Sequence, residues 1–220
     1  MLPRSPRQAR SRATRERILD AAEVVVAAKG FEAAGVAEVV ARAGSSVGVF
    51  YARFRDKRGL LHALYDRFHR EAQARLDAAL DPERWAAAPT APLVQALVRT
   101  LVDLHRERRG LVRAFAVEAA RDPELQARRD RLSQHLTGQL AERLRGRAGE
   151  IGHHHPERAL AFGMAVVAST VEGAVLFDRL RTGPLAPSDG DLAAELARLF
   201  LAYLGVRPDE ARPPTPSAGR

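Results

Sequence analysis

From Ile18 onward the apolar residues of this 220-residue chain recur at helical spacing, and no stretch alternates as a half-buried strand would. A chain patterned this way is restricted to helix packed on helix. The first clear stripe is Ile18, Ala21, Ala22, Val25 and Val26. It stops at Lys29-Gly30, with Gly30 suited to the left-handed position that follows a helix. Composition points the same way. Hydrophobic residues make up 46% of the chain but aromatics only 5%, so the core must be built mainly of Ala, Leu and Val. Ala, Leu and Arg are strong helix formers.

The helices that follow are punctuated sharply. One runs from Val36 to Ala43 and ends at Gly44. The next starts after Ser46, whose hydroxyl can cap the open N–H groups of a first turn. Asp56 can cap a fourth, which ends before Pro82. Ahead of them, residues 1–12 are rich in Pro, Ser and Arg and read as a flexible basic arm, with helix from Thr14. Farther on, Pro89 and Pro92 flank a turn, and breaks are expected near Arg109-Gly110 and at Asp122-Pro123. Helical segments then begin at Pro123, Pro156 and Asp191, with a turn from Gly183-Pro184 to Gly190 before the last. The Pro-rich residues 207–220 read as a disordered tail.

Charge narrows the partners. The formal net charge is +8, and in the first seventeen residues six arginines face only Glu16. Such a balance suggests a polyanion, nucleic acid more often than membrane. The apolar run from Ala159 to Phe177 holds Ser169, Thr170 and Glu172. An acid at the centre of a span costs roughly 2.5–3.5 kcal/mol, so this run reads as a helix buried by other helices. The chain has no cysteine, which excludes disulfides, zinc-thiolate sites and a cysteine nucleophile. Without an apolar stretch behind the N-terminal charges no signal peptide is expected, and the cytoplasm is the expected location.

Gly44-Ser45-Ser46-Val47-Gly48 fits G-x-S-x-G, the nucleophile elbow of serine esterases. An elbow needs a strand before the serine and Asp/Glu and His partners in an α/β fold. Here the preceding residues are helical, so no catalytic residue is assigned and no enzyme is expected. Two short helices joined by a tight glycine turn are instead the signature of a helix-turn-helix, whose second helix enters the major groove.

Thr14 to about Leu64 resembles the N-terminal DNA-binding domain of the TetR family of bacterial transcriptional regulators. The resemblance is carried by "AKGF", by the segment "AGSSVGVFYARF" and by "DKRGLL", at the expected relative positions. It implies an all-α fold with a three-helix helix-turn-helix DNA-binding domain over residues 13–64. A helical ligand-binding and dimerisation domain would follow over 65–206. It also implies phosphate contacts from Thr14, Ser45, Ser46, Tyr51, Arg53 and Lys57, and base-edge contacts from Val47, Gly48, Val49 and Ala52. Phe31, Val39, Phe50 and Phe54 would be core. Family members are typically homodimers, most of them repressors released by a small molecule, and the last two helices would form the dimer interface. The sequence departs from the family where Ala34-Gly35 replaces the usual Thr/Ser pair. Val47 replaces a residue that is commonly polar, Val49 a common Thr and Arg53 a common His. Its reading helix is therefore poor in groups that hydrogen-bond bases, which leaves thymine methyl contacts or DNA shape to carry specificity.

The remaining constellations are weaker. His153-His154-His155 between Gly152 and Pro156 reads as a surface loop, because consecutive side chains rarely converge on one ion. Neither a metal nor a cofactor is expected. Glu118 and Glu172 interrupt apolar runs and need partners if buried. Together with Trp85, His105, Phe115, Phe162 and Met164 they are the candidates for a ligand pocket. The sequence thus predicts a homodimeric repressor of double-stranded DNA with an unknown small-molecule effector and no membrane association. The alternatives are a nonspecific basic DNA-binding protein and a helical ligand-binding protein without an operator.

Overall fold

Helix begins at Pro6 rather than Thr14 in the computed structural model, which describes residues 6–86, 88–177 and 188–207. A proline in the first turn forgoes an N–H that would be unpaired anyway, and its φ is preset for helix. Gln8, Ala9, Arg10 and Arg12 then continue it as good helix formers. The expected flexible arm is thus helical from residue 6, while residues 1–5 lie outside the described residues. Thr14 thus lies inside α1, where its Oγ1 donates to the Arg10 carbonyl four residues back, at 3.0 Å, as a threonine inside a helix does.

The helices are α1 (Pro6–Lys29), α2 (Val36–Arg42), α3 (Val47–Tyr51), α4 (Lys57–Ala79), α5 (Pro82–Trp85), α6 (Thr90–Glu107), α7 (Arg109–Ala119), α8 (Pro123–Leu144), α9 (Pro156–Val171) and α10 (Asp189–Leu204). A 3-10 segment, Arg145–Glu150, follows α8, and one π turn, Glu172–Leu176, extends α9. Among the described residues there is no strand, so the all-α expectation holds and the esterase elbow has no sheet to stand on. Two details differ from the sequence reading. Pro92 lies inside the first turn of α6, where a proline is tolerated, rather than in a turn before it. The short α5, capped by the Asp81 carboxylate on the Glu83 N–H at 2.9 Å, was not foreseen. The turn around Gly183-Pro184 and the tail from 208 lie outside the described residues.

The chain divides into two compact units, and the division does not fall at residue 64. The first unit takes residues up to Ala72 together with Arg108–Arg129; the second takes Gln73–Glu107 and the chain from Asp130. Sequence periodicity marks where helices start and stop, not which helices share a core, so the recruitment of α7 into the first unit was not legible.

The core of the first unit joins Ile18, Leu19 and Val26 of α1 to Val39 and Val40 of α2, Phe50 of α3, Leu61 and Leu64 of α4, and Phe115 of α7. Phe50 is wholly buried, which is worth about 2–3 kcal/mol for a side chain of its size. Phe115 lies edge-on to Tyr65, ring centroids 5.1 Å apart. Gly110 lets α7 touch α1, because a Cβ there would stand 2.3 Å from the Ala27 carbonyl oxygen. Arg67 adds ion pairs to Asp20 at 2.6 Å and Glu23 at 2.5 Å, and Arg108 bridges Glu23 and Glu71.

In the second unit α10 lies along α6 and against α9. Leu93, Leu97, Leu160, Leu196 and Phe200 are among its buried residues. Gly163 of α9 admits the Phe200 ring, since a Cβ would come within 2.2 Å of it. A capping box starts α10: the Ser188 hydroxyl accepts from the Asp191 N–H, and the Asp191 carboxylate accepts from the Ser188 N–H. Gly205 ends the helix in the left-handed conformation, φ 72°. No helix among the described residues is long and apolar enough to cross a membrane.

Candidate nucleic-acid interface

Four short-range devices build the turn between α2 and α3. The Ala43 N–H donates to Val39 O at 3.0 Å and closes α2. Gly44 follows with φ 57°, a conformation that costs a side-chain-bearing residue about 1 kcal/mol or more. Ser45 N–H then reaches back to Val40 O at 2.9 Å. Ser46 is extended and its hydroxyl accepts from the Val49 N–H at 3.3 Å, which caps α3. Gly44 and Ser46 therefore play the parts their residue types suggested.

Phe50 anchors α3 to the core and packs against Phe54 at 5.3 Å, with the Arg15 guanidinium 5.7 Å from the Phe54 ring. That anchor decides which side of α3 faces out. Ser46, Val47, Gly48, Tyr51 and Ala52 are exposed, Val47 by 45% and Tyr51 by 55%. Positions 47, 48, 51 and 52 form one face at helical spacing. Val49 does not join them: it is half-buried and packed on the core. Of the four residues expected at base edges, three stand on the open face, and the helical register turns the fourth inward.

The expected phosphate-binding residues fall into two groups. Tyr51 is open, its ring edge-on to Phe50 at 5.2 Å. Arg53, Lys57 and Thr14 are committed to the fold. Arg53 Nη1 donates to Val49 O at 3.1 Å, and its buried Nε has no hydrogen-bond partner. Lys57 Nζ donates to Glu32 O at 2.8 Å and lies 4.6 Å from the Phe31 ring centroid. Lys57 thus ties the start of α4 to the link between α1 and α2. Ser45 is half-buried.

Other cations of the first unit stand outside the expected set of contacts. Arg10, Arg12 and Arg17 are exposed on the lengthened α1, Arg42 in the last turn of α2, and Arg55 just beyond α3. Arg17 and Arg42 both line a hollow of about 300 Å³ between α1 and α2. No motif marks these residues; the excess of arginine near the N-terminus was the available signal.

A buried cluster sits at the start of α8. The Asp122 carboxylate, 6% exposed, accepts from the Glu124 and Leu125 N–H groups at 3.0 and 3.2 Å. It also pairs with Arg58 at 3.0 Å and meets His62 Nε2 at 3.0 Å. Burial alone would raise this carboxyl, but the Leu125 N–H, the Arg58 guanidinium and the His62 ring outweigh it and hold the group below its ordinary 3.8.

The seven candidate pocket residues are not gathered around one cavity. Phe115 and Glu118 belong to the first unit, and Trp85, His105, Phe162, Met164 and Glu172 to the second. Phe115 is core. Trp85 is buried with its Nε1 donating to Ala79 O at 2.6 Å, and His105 Nδ1 bonds Leu101 O at 2.8 Å. Met164 is buried, Glu172 half-buried and Phe162 59% exposed. An aromatic, methionine or acid at helical spacing packs as readily in a core as in a pocket. His153 Nδ1 accepts from the His155 N–H at 3.0 Å, and its ring lies 5.1 Å from Tyr203.

Comparison with known proteins agrees with this geometry. Residues 18–64 match the family model described as "Bacterial regulatory proteins, tetR family", and residues 89–204 match "Tetracyclin repressor-like, C-terminal domain". No curated protein matches the chain. Among solved structures, a transcriptional regulator from Rhodococcus sp. Rha1 superposes with a TM-score of 0.69 at 24% identity, over 91% of this chain and 99% of that one. The fatty acid degradation regulator FadR from Bacillus halodurans gives 0.67 at 19%, over 94% and 100%. SmeT, the repressor of the Stenotrophomonas maltophilia multidrug efflux pump SmeDEF, gives 0.67 at 23%, over 93% and 96%. At these identities the structures speak for the fold, and the two family models, which take in both the helix-turn-helix and the C-terminal helices, carry the assignment. The chain belongs to the TetR family of bacterial transcriptional regulators.

Proposed function

We propose that the protein is a homodimeric repressor that binds a palindromic operator through α3 and is released from it by a small-molecule ligand. The observation that carries the reading is the open face of α3: Val47, Gly48, Tyr51 and Ala52 are exposed on a helix that Phe50 anchors and Ser46 caps. Val47 and the Ala52 methyl suit thymine methyl groups, and Gly48 permits close approach to the DNA backbone. The exposed Tyr51 supports a phosphate contact. Phosphate contacts set position, while the apolar face and DNA shape supply the sequence preference.

The dimer has its own support. Phe162 and Val166 on α9, and Leu199 and Tyr203 on α10, are exposed large apolar residues at i, i+4 spacing, and the Phe162 and Tyr203 rings lie 5.6 Å apart. Contiguous apolar surface of this kind marks an interaction site, and a second copy of the same two helices covers it with twofold symmetry. A ligand acts by binding one conformation of the dimer more tightly than the other. Transcription in vitro from a promoter carrying a bound site tests repression. Added protein should lower transcript yield in proportion to site occupancy; a rise in transcript would refute the repressor reading.

A further inference from the structure

The first unit holds a hollow of about 640 Å³, walled by the last turn of α1 and the link to α2 on one side and by α7 on the other. Small residues leave it open: Ala27, Ala28, Gly30 and Ala33 stand opposite Gly110 and Ala114. Phe31, Ala114 and Glu118 are buried lining residues, whereas Ala28, Ala33 and Val117 are exposed at its edge. Glu118 differs from the rest of this lining. It lies on the face of α7 that carries Gly110 and Ala114, and Gly110 meets the Ala27 backbone of α1. The residue is only 5% exposed, yet its side chain makes no hydrogen bond or ion pair among the described residues. The other charged groups of the lining are answered. Lys29 pairs with Glu38 at 2.6 Å, Glu32 stands 3.9 Å from Arg121, and Arg109 and Arg113 have partners of their own.

We infer that this hollow binds an organic monocation, an ammonium group carried on an apolar body. The ammonium pairs with the Glu118 carboxylate, and the body covers Phe31 and the alanines. A carboxylate taken out of water needs a partner, and a charged N–H donor makes the stronger kind of hydrogen bond to it. The last carbonyls of α1 add partial negative charge at the same place. The volume suits a small organic molecule, whose sites span about 300–1,000 Å³. The hollow borders the link from Gly30 to Ala33, which Lys57 Nζ ties to α4 through Glu32 O at 2.8 Å. As an effector acting through that link, the cation rests on the repressor reading; as a bound molecule, it does not.

Calorimetric titration of the full chain with phenylbutylammonium tests the site, with phenylbutanol and phenylbutyrate as its neutral and anionic counterparts. The ammonium should bind saturably with one site per chain, the alcohol about ten-fold or more weakly, and the carboxylate weakest. Glu118→Gln should bring the ammonium down to the affinity of the alcohol and leave the alcohol unchanged. It should melt no lower than the wild type, because it removes an unpaired buried charge. Glu172→Gln, in the second unit, should leave all three affinities as they are. The inference is overturned if ammonium and alcohol bind alike, if the carboxylate binds as tightly as the ammonium, or if nothing binds. It is equally overturned if Glu118→Gln keeps the full preference for the ammonium, or if Glu172→Gln abolishes it. Because no DNA is present, such a failure leaves operator binding and repression untouched.

Discussion

The Ser46 hydroxyl satisfies one of the open N–H groups at the start of a five-residue helix that has few other means of holding its shape. Ser46→Ala should cost about 1 kcal/mol of local stability and weaken DNA binding several-fold by anisotropy titration. No ester hydrolysis should be lost, because none is expected. Asp122 makes a second prediction at this scale. Its carboxyl is held below the ordinary value when folded, so its contribution is present above the unfolded pKa and is lost as pH falls through the lowered folded one. Melting curves between neutral pH and pH 3 should therefore fall more steeply for the wild type than for Asp122→Asn, which keeps an acceptor for the Glu124 and Leu125 N–H groups. Asp122→Ala loses that acceptor as well and should cost about 2 kcal/mol or more at neutral pH. Gly44, Ser46, Asp56 and Phe50 were legible in the sequence because each acts through its own backbone or its helical offset. Arg53 and Lys57 were legible as cations near the site but not as fold-committed ones, since their partners, Val49 O and Glu32 O, are backbone atoms that no motif encodes.

Two glycines show what element packing demands. Gly163 faces the Phe200 ring and Gly110 faces the Ala27 backbone, both at distances a methyl group cannot share. Gly163→Ala should destabilise by about 1–3 kcal/mol, the range for overpacking, with the loss visible in thermal or urea unfolding. Gly110→Ala should cost at least as much, because the obstacle is backbone rather than a ring that can tilt. Neither glycine announced this role in the sequence, where Gly163 was one more small residue in an apolar run and Gly110 a helix break. The lengthened α1 leads to a different expectation. Deleting residues 2–12 removes Arg10 and Arg12 from its exposed surface and should weaken DNA binding and flatten the dependence of log K on log salt. An unchanged slope in a salt titration would show that α1 does not reach the phosphates.

At the scale of the molecule, helical periodicity revealed the all-α class and the helix-turn-helix motif revealed the DNA-binding unit. The grouping of α7 with α1–α4, and the scatter of the seven pocket candidates over two units, depended on tertiary packing that no local pattern records. The dimer proposal also belongs here. Leu199 is 65% exposed in the single chain, so Leu199→Glu should leave its folding intact while sedimentation shifts from dimer to monomer, with operator affinity lost in parallel. The most direct measurement is selection of bound fragments from random DNA with the purified full chain, followed by competition of the selected site against random DNA at fixed salt. A dimer reading through α3 predicts an enriched motif with dyad symmetry, its half-sites one helical turn or a multiple apart, and a preference over random DNA of about a thousand-fold or more. Recovery of no common motif, with equal competition by random DNA, would contradict it and leave a basic protein that binds DNA without reading it.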